Sequence, residues 1–470
     1  MLAGLGVGST SLLFAFGCGT TAQEVRRAPQ VRSDVRTWLR DAASHLAAVY
    51  PKVHALAVSR RRSMAAIDIL GTGVSRSRRD GVVLSVRDKD GASREHATAD
   101  LSQAGVQAAV RALVVGSPRP VDLVFPEPPP APPVPIEVPD DALRNRVGAI
   151  MRNDKTESSR IVYAAALIEI DDVTVWSIGP GMDLERQTRR IRKRATRAAW
   201  NGSRPSVSET ERGWVGEVDD QQLTEEDVSG ASKNAMQLMT PGAFADGLAT
   251  VVLEPAVSAT IIDATVRGLL TSSAALRPEV GRRLAIGATV ASPLLTLIDD
   301  PRVKGAYGGF AFDDDGEPAA PITLLDQGHV AGRLGDQAGR GRRPGHVGVL
   351  APTPSHLRLV PGTAKRLDLL SDGWLLEGKV GAVFDPASDR VVVAVARARE
   401  IKGGSTTGRV YADVELVGDL AALLAGVDVI ADETGISVSR EDIGGEPMWC
   451  SVEAPWLRSR AVVRARRRST

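Results

Sequence analysis

The chain has 470 residues, 43% of them hydrophobic, which is enough for two or three packed cores. Lys plus Arg (58) balances Asp plus Glu (57), so no global field draws it to nucleic acid, and aromatic residues at 4% leave few rings to stack on bases. Two cysteines exclude a disulfide framework.

From the N-terminus, residues 1–30 read as a targeting segment. Residues 2–18 are uncharged and apolar, yet too short to span a bilayer. Ala15-Phe16-Gly17-Cys18 resembles a lipobox, in which Cys18 is acylated and becomes the new N-terminus. Leu2-Ala3-Gly4-Leu5-Gly6-Val7-Gly8 resembles the text that follows twin arginines in export signals, which would place the true start upstream. The expectation is an exported bacterial lipoprotein that meets the membrane only through lipid on Cys18. A cytoplasmic N-terminal helix is the alternative.

Residues 31–118 read as an α+β domain. Residues 33–49 form an amphipathic helix, residues 54–58, 66–70 and 81–87 form strands, and Asp88 to Gly91 form a turn. Ser102 then caps a helix carrying Val106, Ala109, Val110 and Leu113. Residues 119–139 are proline-rich and serve as a stiff extended linker. Residues 140–232 are a central domain with an acidic linker. They begin with a helix at 140–151, followed by a hairpin (160–170, 173–178) that turns at Asp171-Asp172. Residues 184–200, with the basic run 189–194, read as a solvated helix, and 201–232 as a flexible acidic segment.

Residues 233–470 form the C-terminal domain. Val251 to Leu253 is a buried strand, and the helix after Pro255 buries Val257, Ile261, Ile262, Val266 and Leu269 at helical spacing. A strand at 307–312, an acidic turn at 313–318 with Gly316 at positive φ, a return strand at 322–325 and a turn at 327–329 suggest a meander. The acidic turn lacks the spaced ligands of a calcium loop and reads as a solvated hairpin. Past Leu367 strands dominate, as in a barrel or sandwich. The fold class expected is α+β: an N-terminal α/β-sandwich-like domain, then a β-rich C-terminal domain with a few helices.

Six histidines occur (His45, His54, His96, His329, His346, His356), and none pair at helical spacing. His346 and His356 flank a proline-bearing loop and could meet in space. Neither cysteine has an evident histidine partner.

The ordered set Val251–Pro255, Asp300-Pro301, Phe312–Pro318, Gly328–Leu334, Gly341-Arg342-Arg343-Pro344 and Leu359-Val360-Pro361-Gly362 resembles the TldD/PmbA metallopeptidase family, most closely over residues 245–365. Residues 79–87 with the following capped helix resemble that family's N-terminal domain. The resemblance implies a strand and helix bearing an HExxxH zinc motif. Its two histidines fall at Asp263 and Gly268, its glutamate at Ala264, and a further cysteine ligand near Ser439, some way before Cys450. Zinc hydrolysis needs several N, O or S ligands and a proton acceptor, which these residues do not supply. The resemblance therefore points to the metal-free TldE (PmbA) type, with no catalytic, metal or cofactor residue of its own. It implies a TldD-like metal-bearing partner or a homodimer, and an extended peptide adding to a strand edge. The alternatives are a metallopeptidase rebuilt on His346, His356, Asp263 or the acidic turn, and a surface-tethered peptide-binding scaffold.

Overall fold

A computed structural model describes residues 28–466 except 115–118, 129, 131–132, 134, 157, 201–204, 238, 241–242, 337–338, 340, 344, 347, 349, 386–387, 389 and 444–445. Cys18 and nearly all of the expected export segment lie outside the described residues.

The first half contains α1 (Ala28–Ala47), β1 (Lys52–Asp68), β2 (Gly71–Arg87), β3 (Ser93–Thr98), α2 (Gln103–Leu113), α3 (Asp140–Arg152), β4 (Ile161–Gly179), β5 (Met182–Trp200), β6 (Pro205–Val215) and α4 (Glu225–Ala235). The strands form one antiparallel sheet in the order β3-β2-β1-β4-β5-β6. Strands from the 31–118 and 140–232 segments thus adjoin in a single sheet, through the β1–β4 pairing. Successive residues of a strand point to opposite faces. Ala55, Leu84 and Trp176 meet α1 and α2 at one end, while Ala65, Ile168, Ile191 and Trp214 meet α3 and α4 at the other.

Several expectations are corrected here. Residues 54–58 and 66–70 are parts of one strand, β1. The hairpin expected at Asp171-Asp172 does not exist, because β4 runs straight through it. The two aspartates point to opposite faces, where Asp172 accepts Arg189 Nε at 2.8 Å and Asp171 faces Arg60 Nε at 3.5 Å. Residues 182–200 are strand β5, largely buried, and not a solvated helix. Both faces of β5 are covered, so alternate arginines find partners on opposite sides: Arg189 and Arg197 meet Asp172 and Asp154, and Arg192 meets Glu211. The expected flexible stretch 201–232 holds β6 and the start of α4, whose Thr224–Asp227 capping box fixes the helix.

The second half contains β7 (Gly247–Leu253), α5 (Pro255–Leu269), α6 (Ser272–Ala275), α7 (Pro278–Arg283), β8 (Leu297–Asp299), β9 (Ile322–Asp326), β10 (His329–Val330), β11 (Gly341–Arg342), β12 (Ala351–Pro352), β13 (His356–Leu359), β14 (Gly373–Asp385), β15 (Arg390–Lys402), β16 (Ser405–Tyr411), β17 (Val414–Asp419), α8 (Leu420–Ala425), β18 (Val429–Ile443) and β19 (Glu446–Ala465). Strands β7, β14, β15, β17 and β19 close into a barrel, with β7 pairing parallel to β14 and antiparallel to β19. The barrel alternative is therefore the one realised. Helix α5 begins at a proline in its first turn and sets Val257, Ile261, Ile262 and Val266 into the largest core.

Residues 307–312 are turns, not the expected strand; only Phe312 bridges to Pro318. The Tyr307 and Gly309 carbonyls accept from Arg190 at 2.9 and 3.0 Å, so they do not join a ladder. Gly316 does take positive φ, at 84°.

Candidate functional site

Helix α5 carries the three positions that matter most. The Asp263 carboxylate accepts from Arg267 Nε at 2.9 Å, and Arg267 Nη1 reaches Glu441 Oε2 on β18 at 2.6 Å. Asp263 is therefore held in an ion-pair chain that ties the helix to the β18–β19 hairpin. At Gly268 an added Cβ would lie 2.5 Å from Phe384 Cε1, so the ring from β14 fills the space a side chain would need. Ser439 pairs across the hairpin with Cys450. The Ser439 hydroxyl is buried without a hydrogen-bond partner. Burial, and after it the Asp263 carboxylate, pushes the Cys450 thiol well above its ordinary range, which keeps it protonated.

Zinc does not fit these residues. One carboxylate is engaged by a guanidinium, the thiol is neutral, Ala264 offers no proton acceptor, and Phe384 blocks the remaining position. Introducing histidine there should clash. Gly268→His is expected to lose about 1–3 kcal/mol of stability, with Phe384→Ala restoring part of it, as read by urea unfolding. An unchanged stability for Gly268→His alone would show that the ring yields freely.

The candidate rebuilt site is dispersed. His346 lies half-buried over Gly81, whose missing side chain gives the ring its space, and burial pushes its pKa down. His356 is buried, with Nδ1 hydrogen bonded to Ser451 Oγ at 2.9 Å and Nε2 3.9 Å from Glu453. Among the described residues, no three of His, Cys, Asp or Glu gather as a cation site. The acidic turn is not the solvated hairpin expected. Asp313 and Asp314 are 2% and 6% exposed. Asp313 accepts from the amides of Asp315, Glu317 and Gly341, and Asp314 from Arg186 and the Arg343 amide. Its polar atoms serve as internal acceptors that bind the turn to β5. Burial, and then Asp313, raises Asp315 to about 6.

Residues 246–458 match the model of the PmbA/TldA metallopeptidase C-terminal domain, well past the stretch where the motifs are clearest. A metalloprotease of Methanocaldococcus jannaschii is 25% identical over 221 residues, covering 44% of this chain and 49% of the relative. A metalloprotease TldD homolog of Haemophilus influenzae is 24% identical over 166 residues, covering 33% and 34%. Residues 246–458 of this chain form a TldD/PmbA-family C-terminal domain. The matches span half or less of the length of these two relatives. The fold likeness is wider: TldE from Thermococcus kodakarensis aligns with a TM-score of 0.66 over 88% of this chain and 97% of that one, at 16% identity.

The N-terminal sheet face opposite α3 meets the β18–β19 hairpin of this TldD/PmbA-family domain. Trp449 and Val438 pack on Leu56, Val58 and Val173, while the Arg60 and Arg190 guanidiniums lie 4.7 and 4.2 Å from the Trp449 ring. Around this contact runs a buried ionic seam. Arg60 pairs with Glu446, Arg62 with Glu169 at 2.8 Å, and Arg440 with Glu169 at 3.0 Å. Arg342 donates to the Trp449 carbonyl at 3.1 Å. Burial, and then its neighbour Arg342, pushes Arg190 down to about 9. None of these residues was singled out as a site from sequence. The available signal was the alternation Thr188, Arg190, Arg192, Arg194, Thr196, which marks one face of a strand.

Proposed function

We propose that this chain is a metal-free, TldE-like subunit that assists a zinc-bearing TldD-type partner in proteolysis of unstructured peptides. The observation that carries this reading is the refilled site on α5: Asp263 bound by Arg267, and Phe384 seated over Gly268. Strand β18 pairs with β19, and residues 362–364 cover its other edge at Ala431 and Asp432, so it is the stretch beyond these residues that would offer backbone groups to an extended peptide with little sequence preference. The test is to purify the chain alone, and together with a neighbouring-gene homologue bearing HExxxH, without chelator. The expected result is no stoichiometric zinc and no hydrolysis of unfolded peptides by the chain alone, with hydrolysis by the co-purified pair. Stoichiometric zinc in the isolated chain would favour the rebuilt metallopeptidase. A chain that never co-purifies with a second subunit would favour the surface-tethered scaffold.

The envelope location rests on Cys18 and its apolar run. Palmitate labelling that disappears in Cys18→Ser is the result expected of a lipoprotein; an unlabelled full-length chain would remove the anchor.

A further inference from the structure

The end of the six-stranded sheet away from the β4–β5 turn presents apolar side chains to solvent. Strands β1 and β2 pair as far as Asp68 and Gly71, so Ile69-Leu70 is the whole turn between them. The comparable turns of β4–β5 and β15–β16 are Pro180-Gly181 and Gly403-Gly404, residue types that suit a tight turn as bulky aliphatics do not. Ile69 is 61% exposed and Leu70 88%, so neither contributes to a core. Asp68 Oδ1 accepts the Leu70 amide at 2.7 Å, which turns the nearest carboxylate back onto the chain. The start of β4 and the end of β5 lie at this same end, since Ile67 stands opposite Ala166 and Ile161 opposite Ala199. They add Val162, 52% exposed, and Trp200, 48% exposed, with half-buried Tyr163 between. Indole and phenol rings favour a boundary that is apolar on one side and wet on the other. Exposed Lys155 adjoins them, next to Asp154, which pairs with Arg197 near the end of β5.

We infer that this end of the sheet rests on a lipid bilayer, with Ile69 and Leu70 entering the boundary between headgroups and acyl chains. Two observations favour lipid over a protein partner. The surface is a projecting turn whose four exposed side chains fall short of the roughly 800 Å² per partner of a stable protein interface, whereas fluid lipid needs no complementary shape. The second is where the chain leads. Residues 48–51 join α1 to β1, on which the helix packs, so α1 runs back along the strand with its N-terminus toward this end. Arg36 is level with Glu185 and hence with Ala57, and from there Ile69 is about 40 Å along the strand. The helix from Arg36 to Ala28 covers about 12 Å of that, and the ten residues back to Cys18 can span about 33 Å. A lipid on Cys18 would therefore reach the same bilayer. This second argument rests on the lipoprotein reading; the first does not.

The test uses the full chain carrying Cys18→Ser, so that acylation plays no part, and vesicles of phosphatidylcholine and phosphatidylglycerol. A polarity-sensitive dye on Leu70→Cys should shift to the blue when vesicles are added, while the same dye on Leu367→Cys, an exposed site on the second half, should not; buried Cys450 escapes labelling. The Ile69→Ser/Leu70→Ser variant should cosediment with vesicles about tenfold less well or weaker still, and Leu70→Trp at least as well as the parent. Both positions lie outside the cores, so thermal unfolding without vesicles should be unchanged. No shift at residue 70, an equal shift at residue 367, or undiminished cosedimentation of the serine variant would overturn the inference. Self-association that the serine variant abolishes, without vesicle binding, would give the surface to a second copy of the chain and overturn it too. Because the acyl group is absent throughout, a failure here is separate from a failure of palmitate labelling at Cys18.

Discussion

Trp449→Ala is expected to destabilise the protein by about 3–5 kcal/mol, as measured by urea unfolding of the full chain. The ring is 4% exposed and sits where the C-terminal hairpin lands on the N-terminal sheet, among Leu56, Val58 and Val173. Its loss removes apolar burial and two guanidinium–ring contacts, each worth about 0.5–2 kcal/mol. The Arg60 and Arg190 charges would then face a cavity in place of an aromatic surface. Trp449→Phe keeps a ring and should recover much of the difference. A loss below about 1 kcal/mol for the alanine variant would mean that this contact does not hold the two halves together.

The second large effect depends on pH. Asp171 is 1% exposed, and neither carboxylate oxygen has a hydrogen-bond partner. Burial, partly opposed by Arg60, raises its pKa to about 6. Because the folded value lies above the unfolded one, the fold holds this proton more tightly than the unfolded chain does. The associated stability is complete below about pH 4 and is lost as pH rises through about 6. A difference of that size is worth about 3 kcal/mol at most. Asp171→Asn, which stays neutral, should therefore match the wild type near pH 4 and exceed it by about 1–3 kcal/mol at pH 7. If the variant is instead weaker at pH 7, the 3.5 Å approach of Arg60 outweighs the burial of the charge.

The elements that could be read from sequence are those whose causes are local. Helix α5 declares itself through a first-turn proline and apolar residues at 3.6 spacing, and Ser102 caps α2 through its own side chain. The emptied positions on α5 were countable because a strand and a proline set the register. Strand β5 was not legible in the same way. Its arginines are good helix formers, and their partners come from distant segments: Arg197 meets Asp154, Arg186 meets Asp314, and Arg190 meets the carbonyls of Tyr307 and Gly309. A charged run looks solvated until the surfaces that cover both its faces are known. Asp171-Asp172 looked like a turn for a related reason, since aspartate favours turns when nothing else claims its oxygens. Phe384 could not be foreseen over Gly268, because the two are joined only by the closing of the barrel.

Strand β19 pairs with β7, β13, β17 and β18, and it follows all of them in the chain. During synthesis the six-stranded sheet has all its strands once Val215 has left the ribosome, whereas four strands of the second half must wait for the 20 residues of β19. A premature stop before Glu446 would leave their edges open to pairing with other chains, so the truncated chain should yield aggregate in place of a trimmed but soluble product.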